Sequence, residues 1–258
     1  MLDGKLVKAF LSELMIEDVD IDALETVDST MIYARQKIDQ LVKLPLLIIA
    51  NEQTAGYGRR KERSFYSPKD SGIYMTLVLD QPEMQIGRIM AGIGYVLTQV
   101  LNYYFDQNLK IKWLNDILDQ EGKKIAGSLI EIHKGKIIIG IGINLNTDNF
   151  PIEISEIAGS LTKKQETVRR ELIIAGIYEG IIGLIWHNPS SLIHKYKEVL
   201  DTLNRKVTLQ IGSQIINGIA LDVDYDGQLL IQTQDGLKKY YNIGEVTKLN
   251  QGEHDEKR

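Results

Sequence analysis

The chain has 258 residues, 43% of them hydrophobic and 25% charged, a globular profile that excludes disordered, collagenous and coiled-coil classes. Thirty basic against thirty-five acidic residues give a formal charge of −5, so no global positive field exists to hold a nucleic-acid backbone. Cysteine is absent, which excludes disulfides, thiolate nucleophiles and cysteine zinc sites.

Leu6, Phe10, Leu11 and Leu14 recur at helical spacing and predict a short opening helix. Asp28, Ser29 and Thr30 are cap residues ahead of a second helical pattern, Met31, Ala34, Ile38, Leu41 and Val42. Leu44–Ala50 is a nearly continuous apolar run and reads as a buried strand. From Asn51 to Ser71 the texture changes to a long basic loop holding Gly56, Gly58, Arg59, Arg60, Lys61 and Arg63. A strand over Gly72–Leu79 follows, then a helix whose face carries Ile86, Ile89, Met90, Ile93, Leu97, Val100 and Leu101. Leu109–Trp113 reads as a strand, and Lys124–His133 with Lys136–Leu145 as a hairpin turning at Lys134-Gly135. A helix over about 168–186 stops before Pro189, and Ser190 or Ser191 can cap another running to about Leu203. Short strands at Val207–Ile211, Ile215–Leu221, Leu229–Thr233 and Leu237–Tyr241, separated by Gly212-Ser213, Asp226-Gly227 and Asp235-Gly236, describe a small barrel. The expected class is α+β, with a large unit over 1–203, a small all-β unit over 204–250 and a polar tail over 251–258.

The four histidines (His133, His187, His194, His254) show no metal-ligand spacing. The N-terminus lacks a signal-peptide core, and no apolar run approaches the ~18 residues of a membrane span. A cytoplasmic location with no membrane partner is expected.

Glycines in the loop let the backbone approach a ligand and present N–H groups to an anion. The neighbouring arginines supply charge-assisted bonds to phosphate or carboxylate. By itself that loop is equally a solvated surface segment. The segment Lys112-Trp113-Leu114-Asn115-Asp116, by itself a core tryptophan and a turn, is followed by Lys124-Ile125-Ala126-Gly127 and by Gly140-Ile141-Gly142-Ile143-Asn144. With Val27–Thr30 and Gln53–Arg59 these blocks resemble, in order and separation, the motifs of biotin protein ligases: VDST, Q-x-A-G-x-G-R, KWPND, KxAG and GxGxN. The resemblance runs from about residue 25 to 250. It is to the monofunctional class without a DNA-binding domain, so no DNA partner is expected.

That resemblance implies a mixed-sheet, class II synthetase-like catalytic domain flanked by helices, followed by an SH3-like β-barrel. It implies ATP and Mg²⁺ as cofactors, biotin as substrate, biotinyl-5'-AMP as intermediate, and a carrier domain of acetyl-CoA or pyruvate carboxylase as acceptor. A homodimer is compatible with it. Carried over residue by residue, Lys124, Arg59 and Asp116 are the expected catalytic group. Ser29, Thr30, Met31, Gln53, Tyr57 and Gly58, with Arg59 and Lys124, are expected around biotin. Gly56, Arg60, Phe65, Lys112, Asn115 and Asn144 are expected on the nucleotide side. Asp116 and Asn144 would orient Mg²⁺ or the lysines, with no direct metal motif; Trp113 is expected to pack. Arg60 and Lys61 either fold over the adenylate or stay in solvent. Loop closure would exclude water from the mixed anhydride, so the loop is expected to order with ligand.

Several positions depart from the pattern. Leu114 stands for the proline of KWPND, Tyr57 for the first loop arginine and Lys61 for a later glycine. Ser64-Phe65 occupies the place of a tryptophan, and one residue is inserted between Asp116 and Lys124. Weaker retention of the adenylate is the expected consequence. The alternatives are a lipoate-type acyl ligase and a catalytically weak biotin sensor. An RNA role for the barrel is disfavoured by Asp222, Asp224, Asp226 and Asp235.

Overall fold

Asp3 opens the first helix, α1 (Gly4–Glu13), its carboxylate accepting from the Lys5 amide. The structure is a computed structural model that describes residues 2–59, 64–162 and 168–250. Val7 and Leu11 are the buried face of α1, while Leu6 and Leu14 of the expected stripe stay exposed. Strand β1 (Asp20–Val27) comes next, then α2 (Thr30–Asp39), which Ser29 caps through the Met31 amide. The apolar run forms β2 (Leu46–Gln53); β3 (Gly72–Asp80), α3 (Ile86–Phe105), β4 (Lys110–Lys112) and β5 (Asp116–Leu118) follow in chain order. The expected hairpin is β6 (Lys124–His133) and β7 (Lys136–Asn144), followed by α4 (Arg170–His187) and α5 (Leu192–Glu198). Last come β8 (Lys206–Ile211), β9 (Gln214–Val223), β10 (Leu229–Thr233), β11 (Lys238–Tyr241) and β12 (Glu245–Asn250).

Strands β1 to β7 form one mixed sheet, ordered β1-β2-β3-β7-β6-β5-β4, parallel only between β1 and β2. Alternation along each strand sends side chains to opposite faces. On one face Leu47, Ile49, Ile73, Met75, Leu77, Ile137, Ile139 and Ile143 pack under α1, α3 and α4, against Leu11, Ile93, Leu97, Ile177 and Ile181. Each such large aliphatic side chain contributes about 1.5–3 kcal/mol on burial. On the other face, among the described residues, α2 is the one helix, its Met31, Ala34 and Ile38 closing over Leu46, Ile48, Val78 and Ile138. One helix cannot cover seven strands, so the rest of that face lies open beyond the N-terminus of α2.

The C-terminal unit, expected as a small barrel of four strands, is a five-stranded antiparallel sheet, ordered β11-β10-β9-β8-β12, around Val207, Leu209, Ile216, Ala220, Leu229, Ile231 and Val246. Its turn at 224–228 docks on the large sheet's helices. Arg88 of α3, 1% exposed, donates to Asn188 Oδ1 at 2.9 Å, Pro189 O at 2.8 Å and Tyr225 O at 3.0 Å, with the Tyr225 ring 3.7 Å away. The indole N–H of buried Trp113 donates to Gly227 O at 3.0 Å. Trp113 therefore packs, as expected, and also ties the small sheet to the segment after β4. Three strands escaped the sequence reading, β1, β5 and β12, and α5 stops at Glu198 rather than continuing to about 203. Among the described residues no helix is long and apolar enough to cross a membrane.

Candidate active site

The register of the large sheet places one row of residues across all seven strands: Lys112, Asp116, Gly127, Gly142, Tyr74, Ala50 and Leu24, each opposite the next. Directly paired residues share a face, and this row lies on the face that α2 leaves open. A Cβ on Gly142 would stand 2.5 Å from the Phe65 ring, and one on Gly127 2.8 Å from Lys124 Cε. In the next row, a Cβ on Gly140 would stand 2.4 Å from Met31 Sδ. Glycine is therefore required on three neighbouring pleats, and their missing side chains make the floor of a cleft of about 420 Å³.

At one end of the cleft sits a charged cluster. Asp116 Oδ2 lies 3.0 Å from Lys112 Nζ, and its Oδ1 lies 2.5 Å from Lys124 Nζ. The Asp116 side chain is 18% exposed. Burial alone would push its carboxyl up, but the ammonium groups of Lys124 and Lys112 outweigh burial and hold it down at about 2. The cluster has one carboxylate to two cations, so it keeps a positive surplus facing the cleft. Arg59 also lines the cleft, its Nη1 donating to Gly244 O, just before β12, at 2.8 Å. Burial pulls the Arg59 guanidinium below its ordinary value against the Glu245 and Asp116 carboxylates, the mark of a cation short of water.

The other end, at the N-terminus of α2, is polar and uncharged. Thr76 donates to Thr30 Oγ1 at 2.8 Å, and Thr30 donates from N and Oγ1 to Gln53 Oε1 at 2.9 and 3.1 Å. Gln53 Nε2 donates to Ser67 Oγ at 3.0 Å. The chain from 54 to 71 does not wander as an open loop in its described parts: Phe65 N donates to Gly56 O at 2.8 Å, and Gln53 N to Ser67 O at 3.1 Å. Tyr74 Oη donates to Pro68 O at 2.9 Å. Arg60, expected on the nucleotide side, and Lys61 lie outside the described residues.

Twelve of the predicted residues line the cleft together: Ser29, Thr30, Met31, Gln53, Tyr57, Gly58, Arg59, Phe65, Lys112, Asn115, Asp116 and Lys124. Two predicted residues do not. Gly56 lies behind the wall, where a Cβ would meet Phe65 O and Ser67 Oγ. Asn144 turns away and donates to Gly159 O at 3.1 Å; that strand-like segment also holds the Lys124 backbone, Lys124 N donating to Ile157 O at 2.7 Å. Asn144 thus braces the Lys124 backbone rather than lining the cleft. Sequence reasoning missed Ser128, Leu129 and Ile157, and, from the small sheet, Gly244, Glu245 and Thr247. Gly127, Gly140 and Gly142 stood in the recognised motifs without a role assigned. No group of three or more His, Asp or Glu side chains among the described residues can hold a metal ion, and Asp116 is already engaged by two lysines. Among the described residues the donor set therefore does not fit a resident metal.

Residues 23–148 match the biotin/lipoate A/B protein ligase family, and residues 202–249 match the biotin protein ligase C terminal domain. The bifunctional ligase/repressor BirA of Bacillus spizizenii is 31% identical over 236 residues, which span 84% of this chain and 71% of that protein. The biotin–[acetyl-CoA-carboxylase] ligase of Mycobacterium tuberculosis is 28% identical over 215 residues, 79% of each chain. Among solved structures, the biotin protein ligase from Aquifex aeolicus in complex with biotin and ATP superposes with a TM-score of 0.76 at 26% identity, covering 88% of this chain and 97% of that one. The chain belongs to the biotin protein ligase family.

Proposed function

We propose that this chain activates biotin with ATP to biotinyl-5'-AMP and transfers the biotinyl group to a lysine of a biotin carboxyl carrier domain. The observation that carries the reading is the Lys112–Asp116–Lys124 cluster, with its positive surplus, at one end of a glycine-floored cleft whose other end is neutral and hydrogen-bonding. That polarity suits a molecule with an uncharged ureido ring at one end and a carboxylate at the other. The relatives named as biotin ligases, and the Aquifex structure holding biotin and ATP, support the same assignment.

In the first step a biotin carboxylate oxygen attacks the α-phosphorus of ATP. The bond to the β-phosphate oxygen breaks and pyrophosphate leaves with its electron pair. An anion must be brought onto an anion, and fixed cations offset that repulsion without reorganising. Lys124 takes the carboxylate, and Arg59 leaves the Gly244 carbonyl for the α-phosphate. Lys112 holds the nucleotide side, and Asp116 keeps the two lysines apart and aimed. Thr30, Gln53 and Ser29 hydrogen-bond the ureido ring. In the second step the acceptor lysine amine attacks the biotinyl carbonyl carbon; the carbon–oxygen bond to AMP breaks, AMP departs as the leaving group, and the amine gives up a proton. Magnesium enters with the nucleotide as part of the substrate. On this reading the catalytic unit is residues 1–203 and the sheet over 204–250 completes one wall. ATP as substrate assigns the reaction to the cytoplasm.

The test is intact-mass analysis of an apo carrier domain incubated with the chain, ATP, Mg²⁺ and biotin, with lipoate in a parallel reaction. A mass gain of one biotinyl group, with biotin only, is expected. Lipoylation, or no gain despite biotin binding, would overturn the assignment.

A further inference from the structure

Tyr57 is the side chain at which the glycine loop leaves the rest of the cleft wall. Its hydroxyl accepts from Arg35 Nη2 of α2 at 3.3 Å and donates to Glu131 Oε1 of β6 at 3.2 Å, while Arg35 and Glu131 pair directly. The three side chains come from three elements far apart in sequence, and the tyrosine ring packs on the small core beneath α2. Tyr57 is also bridged to Ser64, and its neighbours Gly56 and Phe65 share a hydrogen bond at 2.8 Å. The triad therefore grips the stem of the loop immediately before Gly58 and Arg59, both of which line the cleft. Burial, with Glu131 adding to it, pushes the Tyr57 phenol up to about 12, so it remains a donor at any working pH. Hydrogen bonds to ionised partners are the stronger and more directional kind.

We propose that Arg35, Tyr57 and Glu131 form an anchor that fixes the loop stem over the cleft, making Arg35, on helix α2, a positioning residue for retention of the activated intermediate. Arg35 does not line the cleft, so it acts through Tyr57. A stem held at Tyr57 keeps Gly58 and Arg59 in place without contribution from the ligand, and less of the ordering cost falls on binding. A stem that frays opens the mixed anhydride to water and to release. This inference rests on the biotin-adenylating reading above and adds a positioning contact to its site.

The experiment compares the full chain with Arg35→Met, Arg35→Lys and Tyr57→Phe. Biotinyl-5'-AMP is formed from biotin and ATP without acceptor, and its release is followed after dilution. Arg35→Met and Tyr57→Phe are expected to release it about tenfold faster and to raise KM for biotin. In Arg35→Met, whose side chain lies outside the cleft, transfer from the adenylate still bound should keep its rate constant. Arg35→Lys, which preserves the charge beside Glu131, is expected to recover part of the retention. Amide exchange at residues 56–59 and 64–65, which needs no substrate, should be about tenfold faster in both disrupting variants. Tyr57→Phe keeps the ring in its apolar seat and reads the anchor even where Arg35→Met fails to fold. Release rates within twofold of the parent would overturn the positioning role, and unchanged exchange would overturn the anchor. A parent chain that makes no adenylate but shows the exchange effect would sink the enzymatic reading and the retention role together, leaving the anchor.

Discussion

Replacing Asp116 by asparagine removes one charge from the charged end of the cleft while preserving its shape. In the folded chain the carboxyl titrates at about 2 rather than at its ordinary 3.8, a difference of nearly two pKa units. At about 1.4 kcal/mol per unit, the ionised carboxylate contributes roughly 2–3 kcal/mol to stability at neutral pH. Because the folded value is the depressed one, that contribution is complete above about pH 4, shrinks as pH falls toward 2, and vanishes below it. In Asp116→Asn, Lys112 and Lys124 face each other with only an amide dipole between them, and breaking a buried ion cluster by removing one partner costs on the order of 3 kcal/mol. Urea unfolding of both proteins should therefore show a gap of about 2–3 kcal/mol at pH 7 that narrows steadily between pH 4 and pH 2. A gap that stays constant across that window would refute the assignment of the charge cluster as the source of the difference.

Three further outcomes follow from the same geometry. Gly142→Ala puts a methyl where the Phe65 ring lies 2.5 Å away, so KM for biotin should rise tenfold or more in steady-state assays, with Tm lowered by only a few degrees. Trp113→Phe leaves the Gly227 carbonyl without its 3.0 Å donor, at a cost of about 1–2 kcal/mol, visible as a Tm drop of roughly 2–6 °C. Arg88→Met strips donors from Pro189, Tyr225 and Asn188 at once; about 3 kcal/mol of stability should go, and limited proteolysis should cut between α5 and β8 faster than in the parent.

Motif residues were legible in the sequence because their chemistry is local. A lysine ending a strand, an aspartate starting the next, and glycines on alternate positions of β7 keep their meaning whatever surrounds them. The row that joins Lys112 to Gly142 is a property of register, which no single segment carries. Strand β1 was invisible because Asp20–Val27 is half-exposed at a sheet edge and interleaves acids with thin apolar content. The cleft wall at Gly244, Glu245 and Thr247 depends on how the small sheet docks, through Arg88 and Trp113, and neither residue announces a docking role. Asn144 shows the reverse case: its motif was recognisable, but its amide spends its donors on backbone carbonyls behind Lys124. The Arg35–Tyr57–Glu131 contact, with 22 and 74 residues between successive partners, had no sequence signal beyond an unexpected tyrosine.

The measurement that bears most directly on the central claim is single-turnover pyrophosphate release from ATP by the full chain, with and without biotin, beside Lys124→Met. Release that requires biotin, occurs once per chain in the absence of acceptor, and falls at least a hundredfold in Lys124→Met is the predicted result. Biotin-independent release, or a Lys124→Met protein that releases pyrophosphate at the parent's rate, would contradict it.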